Sequence, residues 1–388
     1  MKFNRVFLIV MDSLGVGEAM DANNYSDEGS NTLGHIKENY DLFVPNLKKL
    51  GFLNTINMDE NNDVDAYYTI ARPTNPGKDT LNGHYEILGV KNDVQFKTFT
   101  EHGFPIELLN QIERITGRRV IGNKNCSGLD IVRELGERQM ETGSIIVYTS
   151  NGSNLQIAAH ENIIPVRNLY EYAEKIRKIT LREEWKIGRV IACPFTGNNI
   201  RTFKFTNERQ DYAVKPPMKS VMNFLNDKEY SVISIGKIAE VFDYEGISKV
   251  IKARNNIEAL NKLEDIMDKK FNGLCVVNLN DFDNYGHKRD LNSYAKSIEE
   301  LDVEIPMLLN HLETNDLLII TADHGCDPTF DGYNHTRENV PVIVYGRNLK
   351  EPKRLDILES MADIGATIAE NFEVESPIIG TSFLDKLK

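Results

Sequence analysis

Short runs of consecutive apolar residues recur along the chain, at 5–11, 144–149, 188–192, 231–235, 274–279, 316–321 and 341–345. Most are continuous rather than alternating, which is the pattern of parallel strands covered on both faces. Between them, apolar residues at helical spacing predict helices over 106–116, 166–179, 220–225, 293–312 and 355–371. Strand–helix alternation of this kind predicts an α/β doubly wound sheet. The stretches 92–105 and 211–217 are rich in turn residues. They predict two crossings between a core, residues 1–95 and 214–388, and an inserted smaller α/β domain, residues 96–213.

Charge supports that division. The chain carries 45 Lys and Arg against 58 Asp and Glu, a net charge of −13. Residues 96–213 hold 17 basic against 14 acidic side chains, so a mildly basic insert interrupts an acidic remainder. An acidic surface disfavours nucleic acid and anionic lipid as partners. The four cysteines, Cys126, Cys193, Cys275 and Cys326, are scattered without a C-x-x-C pair, which argues against a disulfide framework or a zinc ribbon. Reduced thiols suit a cytoplasmic protein. The early apolar run at 6–11 is cut off by Asp12 and is too short for a membrane span or a signal-peptide core.

Three of the expected strands end alike. The run 6–11 meets Asp12, the run 275–279 meets Asn280-Asp281-Phe282-Asp283, and the run 317–322 meets Asp323-His324-Gly325. Ligands in open α/β sheets bind beyond the carboxyl ends of the strands. Carboxylates gathered there repel one another unless cations lie between them. His287 follows Asp283 by four residues, His324 follows Asp323 directly, and His335 comes eleven residues after that. Three Asp and three His suit two divalent ions, with mixed oxygen and nitrogen donors favouring Mn2+ or Zn2+ over Ca2+. His35, His102, His160 and His311 are read as surface or packing residues. The loop from Gly77-Lys78-Asp79 into Thr80 offers a tight turn and a helix start, where phosphate is favoured. A Thr hydroxyl beside a metal ion is a competent nucleophile.

These motifs resemble phosphopentomutase, a family of the alkaline phosphatase superfamily. The resemblance rests on Phe7-Leu8-Ile9-Val10-Met11-Asp12-Ser13, Gly77-Lys78-Asp79-Thr80 with Gly83-His84, Asp281-Phe282-Asp283 with Tyr285-Gly286-His287, Asp323-His324-Gly325 and His335-Thr336-Arg337-Glu338. It extends to Tyr148-Thr149-Ser150 and to Gln156 through Glu161. By position, it implies that Asp12, Thr80, Asp323 and His324 hold one metal ion and that Asp283, His287 and His335 hold the other, the pair being Mn2+. It implies that Thr80 carries the transferred phosphoryl group, and that Ser150, Asn154 and Arg209 meet a small sugar phosphate. The implied activity is interconversion of ribose (or deoxyribose) 1-phosphate and the 5-phosphate through a bisphosphate, with the insert acting as a cap that excludes water. A mutase or phosphatase of the same superfamily acting on another phosphorylated small molecule is the alternative.

The chain departs from the family at several points. Asn82 stands where a second Thr is usual, and Tyr85 where the family has Trp. In the insert, Asn151-Gly152-Ser153-Asn154 lacks the family's Asp, and Cys193 precedes Pro194-Phe195 where the family often has Arg. These changes predict weaker use of ribose phosphates or preference for another phosphorylated molecule. Restoring Asp and Arg at 152 and 193 is the corresponding expectation for regaining ribose 5-phosphate turnover.

Overall fold

The computed structural model describes residues 3–58, 63–150 and 152–387. The chain folds as two compact units, Met1–Val94 with Lys215–Lys388, and Gln95–Val214. The first unit is built on a seven-stranded sheet. Its spatial order is Lys249–Ile251, Ser231–Ile235, Gly273–Leu279, Arg5–Met11, Asp316–Thr321, Val340–Tyr345 and Tyr67–Ala71. The first five strands run parallel, Val340–Tyr345 runs against them, and Tyr67–Ala71, antiparallel to Val340–Tyr345, returns to the first direction. Every residue of the Arg5–Met11, Gly273–Leu279 and Asp316–Thr321 strands is buried, as continuous apolar runs require in a sheet covered on both faces.

Register sets where the strands end. Met11 lies opposite Leu279 and Val10 opposite Thr321, so these three strands finish side by side. Val277 lies opposite Ile235, which brings Gly236 and Lys237 to the same edge. The chain segments that carry Asp12, Asp283, Asp323 and Lys237 therefore leave one end of one sheet.

The expected helix over 355–371 is shorter, Ala362–Phe372. Leu355 N and Leu358 N donate instead to Tyr68 O and Ile70 O, so this stretch runs extended along the Tyr67–Ala71 edge strand. The spacing of Leu355, Leu358 and Met361 matches one face of a helix, yet here it serves a sheet edge. The expected strand at 341–345 forms as Val340–Tyr345, but antiparallel rather than parallel.

The second unit has a mixed sheet ordered Val120–Asn125, Ile145–Thr149, Asn154–His160, Arg189–Thr196 and Lys204–Phe205, with Gln210–Ala213 also pairing with Arg189–Thr196. One of its apolar clusters joins the sheet to the helices Ile106–Thr116 and Val166–Thr180. The other joins the sheet to Gly128–Thr142. Among the described residues, no helix is long and apolar enough to cross a membrane.

Candidate metal centre

The structure gathers the sequence-predicted ligands of the first unit into two groups. In each, the donor atoms lie within 4.8 Å of one another. Asp12, Asp323 and His324 form a buried group. His324 Nε2 lies 3.2 Å from Asp323 Oδ2 and 3.8 Å from Asp12 Oδ1, while its Nδ1 lies 3.1 Å from Gly325 O. The turn after Asp12 places Ser13 in the left-handed region, φ 77°, and aims its N–H at Asp323 Oδ1, 2.9 Å away. A non-glycine residue rarely adopts this backbone, and such residues cluster at functional sites. Tyr294 OH holds the turn by donating to Ser13 O at 2.9 Å.

Asp283, His287 and His335 form the second group. Asp283 and His287 sit four apart on the helix Asp281–Lys288 and so share one face. His287 Nδ1 donates to Tyr333 O and His335 Nδ1 to Lys78 O, each at 2.7 Å. Those bonds fix both tautomers and turn the two Nε2 atoms inward, 2.9 Å apart. Asp283 Oδ1 lies 3.1 Å from His335 Nε2. The His324 and His335 rings stack at 3.9 Å between centroids, and His335 stacks again on His287 at 4.5 Å.

A divalent ion fits both groups. Asp12 Oδ1 is buried and accepts no hydrogen bond, a costly state for a carboxylate oxygen unless a cation meets it. In the second group, two imidazole lone pairs and a carboxylate oxygen converge on one point. The electrostatics agree. Burial raises the Asp12 carboxyl, and the neighbouring Asp323 raises it further. Burial would raise Asp323 as well, but the His324 and His84 rings hold it well below the usual carboxylate range. Burial also opposes ionisation of Asp283, yet His287 and His335 hold that carboxyl low. Burial pulls the His324 imidazole down, but Asp323, Asp12 and Asp283 outweigh it and hold it up at about 9. Burial and the adjacent His324 and His287 push His335 down to about 3.

Thr80 opens the helix Thr80–Ile87, with Asp79 as its N-cap. Asp79 Oδ1 accepts from Leu81 N at 3.0 Å and Asn82 N at 3.2 Å. Thr80 Oγ1 lies 3.4 Å from both His324 Nε2 and Lys237 Nζ. Lys237 also pairs with Asp12 Oδ2. It was not expected from sequence, although its place just past the end of the Ser231–Ile235 strand obeys the same strand-end rule as the aspartates. Arg337 is a second omission. Its guanidinium grips both Asp21 oxygens, at 2.9 and 3.0 Å, and donates to the carbonyls of Pro73, Asn75 and Gly77. It thereby fastens the loop that delivers Thr80.

Close approach of that helix to the sheet depends on Gly83. A Cβ there would fall 2.1 Å from Asp323 O, a backbone atom with little room to give. Gly83→Ala is expected to lower stability by about 1–3 kcal/mol, as overpacking does, in urea unfolding of the metal-free protein. A neutral effect would mean that the helix can move away from Asp323.

The remaining sequence-predicted residues lie in the second unit. Asn154 is buried, and its carboxamide bonds back to Ser150, accepting from Ser150 N at 3.1 Å and donating to Ser150 O at 2.5 Å. Ser150 Oγ accepts from Gln156 Nε2, and Gln156 Oε1 accepts from Cys193 Sγ at 3.6 Å. Arg209 is half exposed and paired with Asp211, Nε to Oδ1 at 3.2 Å. Asn151 lies outside the described residues. Cys193 is not a vacant binding position. It is buried in an apolar cluster with Tyr148, Phe195 and Phe203, and burial pushes its thiol up to about 11.

The sequence matches the metalloenzyme superfamily over residues 4–376. The chain belongs to that superfamily. Its α/β architecture is of the alkaline-phosphatase-like kind. Similar solved structures include a protein of Pyrococcus horikoshii, 14% identical over 96% of this chain and 98% of that one, with a TM-score of 0.48. A Leishmania mexicana phosphoglycerate mutase is 13% identical over 97% of this chain and 96% of its own, with a TM-score of 0.47. The cofactor-independent phosphoglycerate mutase of Thermoplasma acidophilum is 12% identical over 94% of this chain and 99% of its own, with a TM-score of 0.41. Membership in a metalloenzyme superfamily accords with two ligand groups at one end of the sheet.

Proposed function

We propose that this metalloenzyme is a phosphotransferase of phosphopentomutase type. It would interconvert ribose or deoxyribose 1-phosphate and the 5-phosphate, with Thr80 as the phosphoryl carrier. The observation that carries the reading is the convergence of Thr80 Oγ1, Lys237 Nζ and His324 Nε2 beside Asp12 and Asp323. Phosphothreonine at position 80 gives its phosphoryl group to one hydroxyl of the pentose monophosphate, and the Thr80 oxygen leaves. The resulting bisphosphate then returns its other phosphoryl group to Thr80. Lys237 places a positive charge against the Thr80 oxygen as charge builds on it, and Arg337 keeps the loop before Thr80 from shifting. Asp12, Thr80, Asp323 and His324 would hold one divalent ion and Asp283, His287 and His335 the other, with Mn2+ as the proposed metal. When bound, such a pair supplies Lewis acidity to the attacking and departing oxygens. Ser150, Asn154 and Arg209 are the proposed substrate contacts of the second unit. A cytoplasmic setting and a small phosphorylated substrate complete the proposal.

Phosphorus NMR with Mn2+, catalytic ribose 1,5-bisphosphate and excess ribose 5-phosphate tests it. The expected result is a growing 1-phosphate signal. Release of inorganic phosphate alone would replace the mutase reading with that of a phosphatase.

The insert offers a narrower test of sugar preference. Gly152 sits at φ +86° with no atom closer than 4.0 Å to a would-be Cβ. Asp is among the few residues that tolerate that backbone. Cys193→Arg, by contrast, would bury a guanidinium in an apolar cluster and is expected to unfold the unit. Gly152→Asp alone is therefore the useful variant. It is expected to raise ribose 5-phosphate turnover about tenfold, the worth of one charge-assisted hydrogen bond. An unchanged or lower rate would show that the wild-type turn already serves the ribose.

A further inference from the structure

A buried chain of polar contacts runs behind the first ligand group through Asn278 and His84, two residues to which the proposed reaction gives no part. Asn278, the penultimate residue of the Gly273–Leu279 strand, donates from Nδ2 to Asp12 Oδ2 at 2.9 Å. That orientation turns its Oδ1 towards His84 Nε2, 2.9 Å away. His84 stands one helical turn after Thr80. Its Nδ1 lies 3.0 Å from Thr80 O and 2.9 Å from Asp323 Oδ2. All four side chains are at most 2% exposed. Each carboxylate is thus steadied on its own side, Asp12 by Asn278 and Asp323 by the Ser13 N–H and the His84 ring. Asp12 Oδ1 is left without a hydrogen bond.

We propose that His84 and Asn278 are positioning residues that preset the Asp12, Asp323 and Thr80 group for a divalent ion. The inference rests on the metal-centre reading of that group. Two buried carboxylates a few ångströms apart repel and would otherwise turn away from each other. The amide and the imidazole span the gap as one rigid link, and the link includes the carbonyl of Thr80. The hydrogen bonds of His84 and Asn278 run to Asp12 and Thr80 and to each other, not to Asp283, His287 or His335. The effect is therefore confined to one of the two ion positions. Groups that orient metal ligands typically change affinity by roughly ten- to a hundredfold when removed.

Calorimetric titration of the metal-free protein with Mn2+ tests this. Wild type is expected to take up two equivalents, assigned by Asp323→Ala, which removes one, and His335→Ala, which removes the other. His84→Phe keeps a ring of similar size, and Asn278→Ala removes the other half of the link. Each is expected to weaken the equivalent lost in Asp323→Ala by tenfold or more, while the other stays within about twofold. Circular dichroism of the metal-free variants checks folding, and if His84→Phe does not fold, Asn278→Ala decides alone. Wild-type affinity at both positions in a folded variant overturns the positioning role and leaves the metal centre standing. Equal weakening at both positions also overturns it, since general loosening would act that way. Uptake of fewer than two ions by wild type overturns the metal-centre reading and this inference with it.

Discussion

Thr80→Ala is expected to lower pentose-phosphate interconversion by at least about a thousandfold, because removing a covalent nucleophile eliminates the two-step route rather than weakening it. The variant should fold normally. Thr80 is the first residue of its helix, and the cap is supplied by Asp79, whose carboxylate still accepts from Leu81 N and Asn82 N. Intact mass after incubation with ribose 1,5-bisphosphate should show one phosphoryl adduct in wild type and none in Thr80→Ala, with peptide mapping placing it at residue 80. An adduct elsewhere, or turnover close to wild type in the variant, would falsify the assignment of the nucleophile. Lys237→Met makes a graded companion. It removes the ammonium beside Thr80 Oγ1 without removing the oxygen, so the adduct should still form, but more slowly.

Metal uptake at the Asp12, Asp323 and His324 group is expected to depend steeply on pH. Without metal, His324 carries its proton up to about pH 9 because the carboxylates around it outweigh burial. An ion needs the Nε2 lone pair, so binding must expel that proton. Apparent affinity should therefore rise about tenfold per pH unit, or roughly a hundredfold between pH 6 and 8. At the other group, His335 is held down at about 3 and Asp283 well below the ordinary carboxylate range, so those two have no proton to lose in this window. The two equivalents should separate as pH falls. The same shift sets a sign for stability. A histidine raised from 6.5 to about 9 in the folded state stabilises fully below 6.5, and that contribution is lost as pH rises through 9. Melting of the metal-free protein should fall over that interval, and saturating Mn2+ should remove the fall. Titration in buffers of different ionisation enthalpy gives the proton count, and an affinity independent of pH would refute the account.

Much of the candidate site was legible because its carboxylates obey one local rule. Asp12, Asp323 and the Asp281–Asp283 start of a helix each follow a continuous apolar run, and a buried parallel strand has little choice but to present its next polar residue at the sheet's end. Lys237 obeys the same rule, yet a lone lysine after Gly236 carries no pattern of its own. Asn278 was hidden differently. It lies inside an apolar strand, where an amide reads as an interruption, and its partner His84 is separated from it by 194 residues. Neighbours that meet only in three dimensions leave no spacing to count. Cys193 misled in the opposite sense. A missing charge read as an empty place in a binding surface, but Ile191, Phe195, Phe203 and Tyr148 had filled it. The 355–361 stretch shows the limit of periodicity, since an edge that touches a sheet at Leu355 and Leu358 repeats like a helix.

The sheet's order also says something about how the molecule is made. Its central strand, Arg5–Met11, can be completed only by Gly273–Leu279 and Asp316–Thr321, far down the chain. The second unit, by contrast, is one continuous stretch, Gln95–Val214, with strands that find their partners nearby. During synthesis the insert can finish folding while the apolar segment from Val6 to Met11 still waits for its neighbours. Assembly of the first unit is thus a late event, governed by closure of a long loop, and until then its future core strand must be shielded from other chains.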